Sequence, residues 1–285
     1  MPDVQLSGAE VDGLTLHYVT EGRGPAVVLV HGLGGFAESW RHNIGALARV
    51  ATVFSVDLPG FGRSSKPQAR YRLDDSARAL HGFIQAMGIG RAAIVGHSLG
   101  GAVALTYALT HPARVERLAL IGALVPGTSY RPSLPYRIAA THVLGELLAL
   151  CACAPMYRAA IARCFHAPVA DEVDYLVRDG YAERTSPEAK AAYLATLRDI
   201  RREIVDHAPD YHRALASLEP PVLLIHGKQD RVIAPAYCAE AADALPLTRV
   251  HWIDACGHFP QIEHASAVNG WLTEFLVGRH APRNS

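Results

Sequence analysis

Cysteine is scarce in this 285-residue sequence, and so are the features of a secreted chain. The five cysteines are Cys151, Cys153, Cys164, Cys238 and Cys256. Their odd number does not indicate a disulfide framework. Nothing near Met1 resembles a basic stretch followed by an apolar signal core. The sequence therefore predicts a reduced, cytoplasmic protein.

An excess of charge of one sign is also lacking, because 27 basic side chains balance 27 acidic ones. A net charge of zero does not favour binding to nucleic acid or to an anionic membrane, so a small neutral molecule is the expected partner. The chain has 15 histidines, but neither H-E-x-x-H nor C-x-x-C spacing occurs. No metal and no cofactor is predicted.

Long apolar runs are missing too. The most apolar stretch, residues 138–155, is shorter than the ~20 residues of a membrane-spanning helix and contains His142 and Glu146. It predicts a buried or cleft-lining helix rather than a membrane span.

Short runs of β-branched and apolar residues alternate with helical patterns along most of the chain. Predicted strands cover residues 4–11, 14–20, 26–31, 52–57, 92–97, 117–122, 222–226 and 249–254. Predicted helices cover residues 38–50, 73–87, 98–110, 235–244 and 263–278. The turn dipeptide Asp12-Gly13 pairs the first two strands as a hairpin. The alternation predicts an α/β fold with a mostly parallel sheet of about eight strands, covered by helices on both faces.

The alternation stops for about ninety residues after residue 123, where no convincing strand is found. We interpret residues 124–213 as an inserted helical cap, and residues 1–123 and 214–285 as two parts of one α/β core. Ligands of parallel sheets bind beyond the carboxyl ends of the strands, so this insertion would cover the ligand site.

The stretch "GHSLGG" at residues 96–101 follows a predicted strand and begins a predicted helix. G-x-S-x-G in that context favours a sharp turn that exposes Ser98 as a nucleophile, with the helix N-terminus facing the reacting atom. The motif alone is also typical of a glycine-rich turn with a capping serine, so partners are required.

A nucleophilic serine needs a base, and the base needs an acid that orients it. The expected order along the chain is serine, acid, histidine, each after a later strand. Asp230 in "HGKQDRVIA" and His258 in "ACGHFPQIEH" fit this order. Asp254 and Glu263 are rival acids in less suitable positions, and His97 is interpreted as a packing residue.

The reaction also needs donors for the oxygen that becomes negative. The backbone N–H of Leu33 in "VHGLGG" and that of Leu99 are predicted to form this oxyanion hole. The same glycine-rich segment has a second interpretation, because Gly32, Gly34 and Ala37 followed by Asp57 match a dinucleotide-binding fingerprint. That alternative leaves the serine, acid and histidine order unexplained.

Taken together, "VHGLGG", "DLPGFGRSS", "GHSLGG", "HGKQDRVI" and "GHFPQIEHA" resemble the α/β-hydrolase superfamily in its lidded branch. The resemblance covers residues 1–123 and 214–285. It implies an α/β-hydrolase fold and an acyl-enzyme mechanism with Ser98, Asp230 and His258 as the triad.

Branches of the superfamily differ at positions that can be read here. Haloalkane dehalogenases and epoxide hydrolases have an aspartate where this chain has Ser98. Meta-cleavage-product hydrolases, which break carbon–carbon bonds with a serine triad, are more similar, including "CGH..Q.EHA". They usually have tryptophan where this chain has Phe259 and a longer glycine-rich loop than "GLGGF". Cofactor-free haloperoxidases and hormone receptors of this fold share the triad and stay open.

The sequence-based prediction is a serine hydrolase of a small to medium, fairly apolar ester, thioester or lactone. The alternative is a carbon–carbon bond hydrolase. The predicted pocket walls are Trp40, Leu144, Leu147, Leu148 and Phe259. Three cap tyrosines (Tyr130, Tyr136, Tyr157) are interpreted as helix surface that could also donate to a substrate oxygen. Monomer and homodimer are both left open.

Overall fold

The structure is a computed structural model that describes residues 2–8, 11–151, 153–182 and 184–278. Eight strands form one sheet in the order β1-β2-β4-β3-β5-β6-β7-β8. The strands are β1 (Asp3–Gln5), β2 (Thr15–Gly22), β3 (Ala26–Val30), β4 (Thr52–Val56), β5 (Ala92–His97), β6 (Val115–Ile121), β7 (Val222–Gly227) and β8 (Thr248–Ile253). From β4 to β8 all neighbours are parallel, while β2 pairs antiparallel with β1 and with β4. The predicted sheet is confirmed, and its first two strands pair antiparallel as expected. The predicted hairpin differs, because β1 ends at Gln5 and Gln5 pairs with Thr15, so the connection is longer than the Asp12-Gly13 turn.

Helices fill most connections between the strands. Within the described residues the α-helices are α1 (Arg41–Leu47), α2 (Leu73–Ala86), α3 (Leu99–Thr110), α4 (Leu134–Ala139), α5 (His142–Cys151), α6 (Ala154–Ala162), α7 (Ala170–Ala182), α8 (Pro187–Asp206), α9 (Ala208–Leu215), α10 (Pro235–Ala244), α11 (Pro260–Glu263) and α12 (Ala265–Val277). The predicted helix at residues 38–50 divides into a 3₁₀ turn and α1. The one at 263–278 is interrupted at His264, whose backbone is not helical (φ −130°, ψ 43°).

The sheet buries an apolar cluster on each face. Helices α2 and α3 pack against one face, and α1 and α12 pack against the other. Helix α3 lies closest to the sheet because its first turn contains small residues. A Cβ at Gly100 would lie 2.3 Å from the carbonyl oxygen of Val30, a distance that only glycine permits. This approach places the N-terminus of α3 at the carboxyl ends of β3 and β5.

Helices α4 to α9 lie between β6 and β7, where the sequence predicts the cap, and no strand occurs there among the described residues. The boundaries of the cap as a domain stay a prediction. Within residues 138–155, helix α5 is the cleft-lining helix of the prediction and not a buried one, because Leu148 and Ala149 line a cavity while α5 buries only Gly145 and leaves all four of its leucines exposed. Gly145 lies against the carbonyl oxygen of Ala139 in α4 and a methyl group of Leu194 in α8. Helix α5 therefore packs against these two helices through a glycine.

Candidate active site

Ser98 occupies the sharp turn between β5 and α3. Its backbone has φ 52° and ψ −120°, a region that non-glycine residues rarely adopt. Neighbouring backbone maintains this conformation, since the Ser98 amide donates to Ile121 (3.1 Å) and its carbonyl accepts from the amides of Gly101 and Leu124 (3.0 Å each). A Cβ at Gly96 would lie 2.4 Å from the carbonyl oxygen of Gly100, so the turn requires glycine there. The elbow predicted from G-x-S-x-G is present.

The structure brings Ser98, His258 and Asp230 into one hydrogen-bonded chain. His258 Nε2 lies 2.9 Å from Ser98 Oγ, and His258 Nδ1 lies 2.8 Å from Asp230 Oδ2. An ionised Asp230 accepts from Nδ1–H, which leaves Nε2 free to accept the serine proton. This geometry suits a serine nucleophile, a histidine base and an orienting carboxylate.

The loop after β7 fixes the carboxylate of Asp230. Its Oδ1 accepts from the amides of Val232 (2.7 Å) and Ile233 (2.9 Å), so Oδ2 is directed at the imidazole. Burial alone would raise the pKa of Asp230, but His258, His226 and the Ile233 amide outweigh burial and lower it. Asp230 therefore stays ionised at neutral pH.

Two buried histidines next to the triad have positioning contacts that the sequence did not indicate. His97 Nε2 donates to the carbonyl oxygen of His258 (2.8 Å), and burial lowers the pKa of His97 to about 3. His31 Nδ1 donates to the Gly32 carbonyl oxygen (2.8 Å) while its Nε2 accepts from the Leu58 amide (3.0 Å). Burial lowers the pKa of His31 to about 4. Both rings are neutral at pH 7. His97 thus does more than pack, because it holds the backbone of the base.

The rival acids lie elsewhere. Asp254 is 79% exposed and pairs with Lys228 (2.9 Å). Glu263 accepts from the amide of Gly257 (2.8 Å) and from that of His166 (2.7 Å), so it stabilises the loop that carries His258. The hydrogen bond from His166 spans 97 residues of sequence, so the pattern around Glu263 indicated only an ordinary carboxylate in a first helical turn.

Leu33 and Leu99, the predicted oxyanion-hole residues, both border the cavity above Ser98. Leu99 is the first residue of α3, so its amide has no acceptor within the helix. The loop with Leu33 passes directly beside the nucleophile, since a Cβ at Gly32 would lie 2.9 Å from Ser98 Cβ. This placement suits two donors for one oxyanion, and their role stays a prediction.

The dinucleotide interpretation conflicts with the environment of Asp57. Its two carboxylate oxygens accept from the amides of Ala37 (2.5 Å) and Arg63 (2.8 Å), and the residue is fully buried. A Cβ at Gly62 would lie 2.0 Å from Asp57 Oδ2, so the loop encloses the carboxylate completely. Asp57 therefore cannot reach a ribose hydroxyl. Its carboxylate fixes the surrounding backbone and does not bind a cofactor.

A cavity of about 560 Å³ lies over Ser98 and His258, between the sheet edge and the cap. Of the predicted pocket walls, Leu148 and Phe259 line it and the others do not. Trp40 is buried in the core cluster between the sheet and α1, where its ring meets His97 edge-on at 6.5 Å. Leu144 and Leu147 lie on the outer side of α5 and are about half exposed (47% and 53%). These three assignments were wrong because the apolar character of a residue does not say which way it points.

Aromatic and cationic side chains from the cap also line the cavity. Tyr130, Tyr136 and Tyr157 all border it instead of forming helix surface. The sequence did not single out Arg184, whose guanidinium lies over the rings of Tyr157 (4.6 Å) and Tyr193 (4.3 Å). The cap has no motif that could have identified it.

Arg184 reaches across the cavity to the predicted oxyanion loop. A Cβ at Gly34 would lie 2.5 Å from the guanidinium carbon. None of the ion pairs among the described residues involves Arg184. The cavity lining includes two further cations, Lys190 and Arg201, whereas no aspartate or glutamate is among the described residues that line it. The cavity is therefore electropositive close to the nucleophile.

Comparison with known proteins places this geometry in a family. The model of the α/β-hydrolase fold matches residues 25–144 and 177–265, so the chain belongs to that family. A 2-hydroxy-6-oxo-6-(2'-aminophenyl)hexa-2,4-dienoic acid hydrolase of Metapseudomonas resinovorans is 30% identical over 279 residues, covering 94% of this chain and 89% of the relative.

Two further similar proteins carry related names. A 2-hydroxy-6-oxononadienedioate/2-hydroxy-6-oxononatrienedioate hydrolase of Burkholderia vietnamiensis is 31% identical, covering 92% of this chain and 91% of the relative. The solved 2-hydroxy-6-oxo-6-phenylhexa-2,4-dienoate hydrolase of Rhodococcus sp. strain RHA1 has a TM-score of 0.82 at 26% identity, covering 96% of this chain and 99% of that one. The resemblance inferred from the motifs is confirmed, and the protein is a serine hydrolase of the α/β fold. The names of the relatives favour the carbon–carbon alternative over the neutral ester.

Proposed function

We propose that the protein hydrolyses a carbon–carbon bond in a 2-hydroxy-6-oxo-2,4-dienoate, and that Arg184 binds the carboxylate of this substrate. The observation that carries the proposal is the guanidinium of Arg184 beside Gly34 in the cavity, which hydrogen-bonds to Tyr157 and Tyr193 but has no carboxylate partner among the described residues. The names of the similar hydrolases support the same substrate class. The proposal replaces the sequence-based preference for a neutral ester. The neutrality of that substrate was inferred from the net charge of the whole chain, and carbon–carbon cleavage was placed second because of Phe259 and the short glycine-rich loop.

Removal of the Arg184 guanidinium from water costs free energy. A guanidinium removed from water and left without an anion is destabilising, and tyrosine rings and hydroxyl groups compensate only in part. A carboxylate can accept two parallel hydrogen bonds from an arginine, which fixes its orientation as well as its position. A neutral ester offers no such compensation. Arg184 therefore favours a substrate with a carboxylate at the end that lies near Gly34.

The triad supplies the nucleophile for this substrate. His258 takes the proton of Ser98 as Oγ attacks the ketone, and Asp230 stabilises the imidazolium that forms. The amides of Leu33 and Leu99 receive the oxyanion. When the carbon–carbon bond breaks, the ketone carbon remains on Ser98 as an ester. The imidazolium of His258 gives its proton to the departing carbon fragment, and the neutral imidazole then activates the water that hydrolyses this ester.

A carbon leaving group requires delocalisation of the electron pair that it takes away. The dienol first transfers its hydroxyl proton to the carbon beside the ketone, and a new carbonyl group forms where the hydroxyl was. The electron pair that cleavage leaves on that carbon is then delocalised through the remaining double bond to the new carbonyl group. The negative charge then develops next to the carboxylate. Arg184 would stabilise the carboxylate and the negative charge that develops beside it, because Arg184 is the cation in the cavity that lies against the oxyanion loop.

The test compares a dienoate with a neutral ester in two arginine variants. Wild-type protein should bleach 2-hydroxy-6-oxo-6-phenylhexa-2,4-dienoate, because cleavage shortens its conjugated system. Arg184→Gln should lower kcat/KM for the dienoate by about 100-fold or more, as expected for truncating one partner of a buried charge pair. The same variant should leave p-nitrophenyl butyrate hydrolysis nearly unaffected. Arg178→Gln, an exposed cap arginine outside the cavity lining, is the matched control.

Two results would contradict the proposal. Equal losses on both substrates would make Arg184 a structural residue. Ester turnover without dienoate cleavage by the wild type would return the assignment to the second candidate, hydrolysis of an ester or lactone. The serine triad and the largely aliphatic cavity wall favour that candidate, and Phe259 stands where meta-cleavage-product hydrolases usually have tryptophan.

A further inference from the structure

The outer side of helix α5 is an unusually apolar surface. Val143, Leu147 and Leu150 repeat at helical spacing and therefore share one face, with Leu144 beside them. Their exposed fractions are 73%, 53%, 73% and 47% respectively. Contiguous aliphatic surface of this kind usually marks an interaction site in a soluble domain. We call these four residues the α5 face.

Charge around the α5 face is almost entirely positive. Residues 131–163 contain four arginines and a single carboxylate, Glu146, although the whole chain has no net charge. Glu146 is already paired with Arg198 (3.0 Å), and Arg158 is paired with Asp174. Arg137 and Arg163 are exposed, and no ion pair among the described residues includes either of them. The apolar surface is therefore flanked in the chain by uncompensated cations.

The side of α5 away from the α5 face borders the active-site cavity. Leu148 and Ala149 of α5 and Met156 of α6 line the cavity, yet Leu148 and Met156 are 40% and 51% exposed. One side of α5 thus borders the catalytic cavity while the other meets solvent. Anything bound to the α5 face would therefore contact the helix that forms part of the cavity wall.

We propose that the α5 face docks on the surface of an anionic lipid bilayer, with its aliphatic side chains in the headgroup region and Arg137 and Arg163 near lipid phosphates. Apolar residues on one helix side with arginines nearby are the pattern of helices that lie in a membrane interface. No single helix among the described residues is long and apolar enough to cross a bilayer. Helices α5 and α6 would pass that test only as a pair, and they are bent by 107°. The contact is therefore a surface one.

The charges favour a bilayer over a second copy of this chain. A two-fold dimer brings the same patch of both copies together. The arginines of two copies would then share one interface, with only the already paired Glu146 to offset them. An anionic bilayer supplies the opposite charge.

The experiment measures sedimentation of the full chain with vesicles of phosphatidylcholine alone, or mixed with phosphatidylglycerol in equal parts. Wild-type protein should sediment with the anionic vesicles and less with the neutral ones, and added salt should weaken the binding. Arg137→Gln with Arg163→Gln should weaken it about 25-fold, at about fivefold per arginine. The triple variant Val143→Ser, Leu147→Ser and Leu150→Ser should lose at least about tenfold.

Controls separate docking from misfolding and from dimerisation. Leu247→Ser and Val277→Ser remove exposed apolar side chains outside the cap and should bind like the wild type. Ester turnover without vesicles and the melting temperature should be unchanged in all variants, because the substituted side chains are exposed. The proposal is overturned if the wild type stays in solution with anionic vesicles, or if the controls lose binding equally. It is also overturned if light scattering shows a dimer that the triple variant abolishes. None of these outcomes depends on which bond the enzyme cleaves.

Discussion

Replacement of Asp230 by asparagine tests the triad most directly, because the structure defines what the new amide would do. The amides of Val232 and Ile233 donate to Oδ1, so the carbonyl oxygen of an asparagine would stay there. Its NH₂ group would then face His258 Nδ1, at the place where the carboxylate now accepts a hydrogen bond. The imidazole would have to carry its proton on Nε2.

A proton on Nε2 abolishes the base, because Nε2 could then only donate to Ser98 Oγ, which lies 2.9 Å away. The same substitution in a Ser-His-Asp triad lowers kcat about 10⁴-fold, which corresponds to about 5.5 kcal/mol of transition-state stabilisation. We expect a loss of that size here. The folded state should persist, since asparagine keeps both amide contacts of the loop.

The assay is hydrolysis of p-nitrophenyl butyrate by Asp230→Asn and by the matched control Asp254→Asn. Asp254 is exposed and pairs only with Lys228 among the described residues, so its variant should retain wild-type turnover. Asp230 is not the acid of the triad if Asp230→Asn keeps a tenth or more of the wild-type activity while its melting temperature is unchanged. The assignment is equally refuted if Asp254→Asn suffers the larger loss.

Three other predictions concern the nucleophile, the elbow and the buried histidines. Ser98→Ala should abolish turnover and labelling by a fluorophosphonate, with the melting temperature nearly unchanged. Gly100→Ala should unfold or strongly destabilise the protein, because its Cβ would lie 2.3 Å from the Val30 oxygen, whereas Gly270→Ala in an exposed turn of α12 should stabilise it by up to about 1 kcal/mol. His97 is a base whose folded pKa is lowered to about 3, so its stabilising contribution is full above the unfolded pKa of 6.5 and decreases as the pH falls toward 3. The free energy of unfolding, measured with urea, should therefore decrease from pH 7.5 to pH 5. In His97→Gln this decrease should be smaller by about 2 kcal/mol.

Each of these predictions has an outcome that contradicts it. An active Ser98→Ala protein would exclude the serine as nucleophile. A Gly100→Ala protein as stable as the Gly270→Ala one would mean that α3 does not approach β3 as closely as described. If His97→Gln left the pH dependence unchanged, burial of that imidazole would not be the cause of acid destabilisation.

The triad and the order of the sheet could be predicted because each rests on local patterns. A glycine on either side of Ser98 indicates the elbow, and the turns that follow two later apolar runs locate Asp230 and His258. Parallel strands bring their carboxyl ends to one edge whatever the connecting chain does. Ser98 could therefore be assigned to one site with two residues that lie more than a hundred positions further along the chain.

The cap could not be predicted in the same way. Trp40, Leu144 and Leu147 were expected to face the cavity from apolar character alone, which does not distinguish the inner side of a helix from the outer. The roles of His97 and Glu263 depend on hydrogen bonds to backbone groups far along the chain, those of His258 and His166 respectively, and no spacing rule signals them.

By itself the sequence determined the class of fold, the elbow and the identity of the three triad residues, because these follow from short-range backbone requirements and strand order. Only the tertiary structure decided the electrostatics of the cavity. Arg184 reaches the oxyanion loop by packing of the cap over the sheet, and among the described residues no carboxylate lines the cavity beside its guanidinium. Net charge sums over the chain, whereas a substrate experiences only the charges that folding places around it.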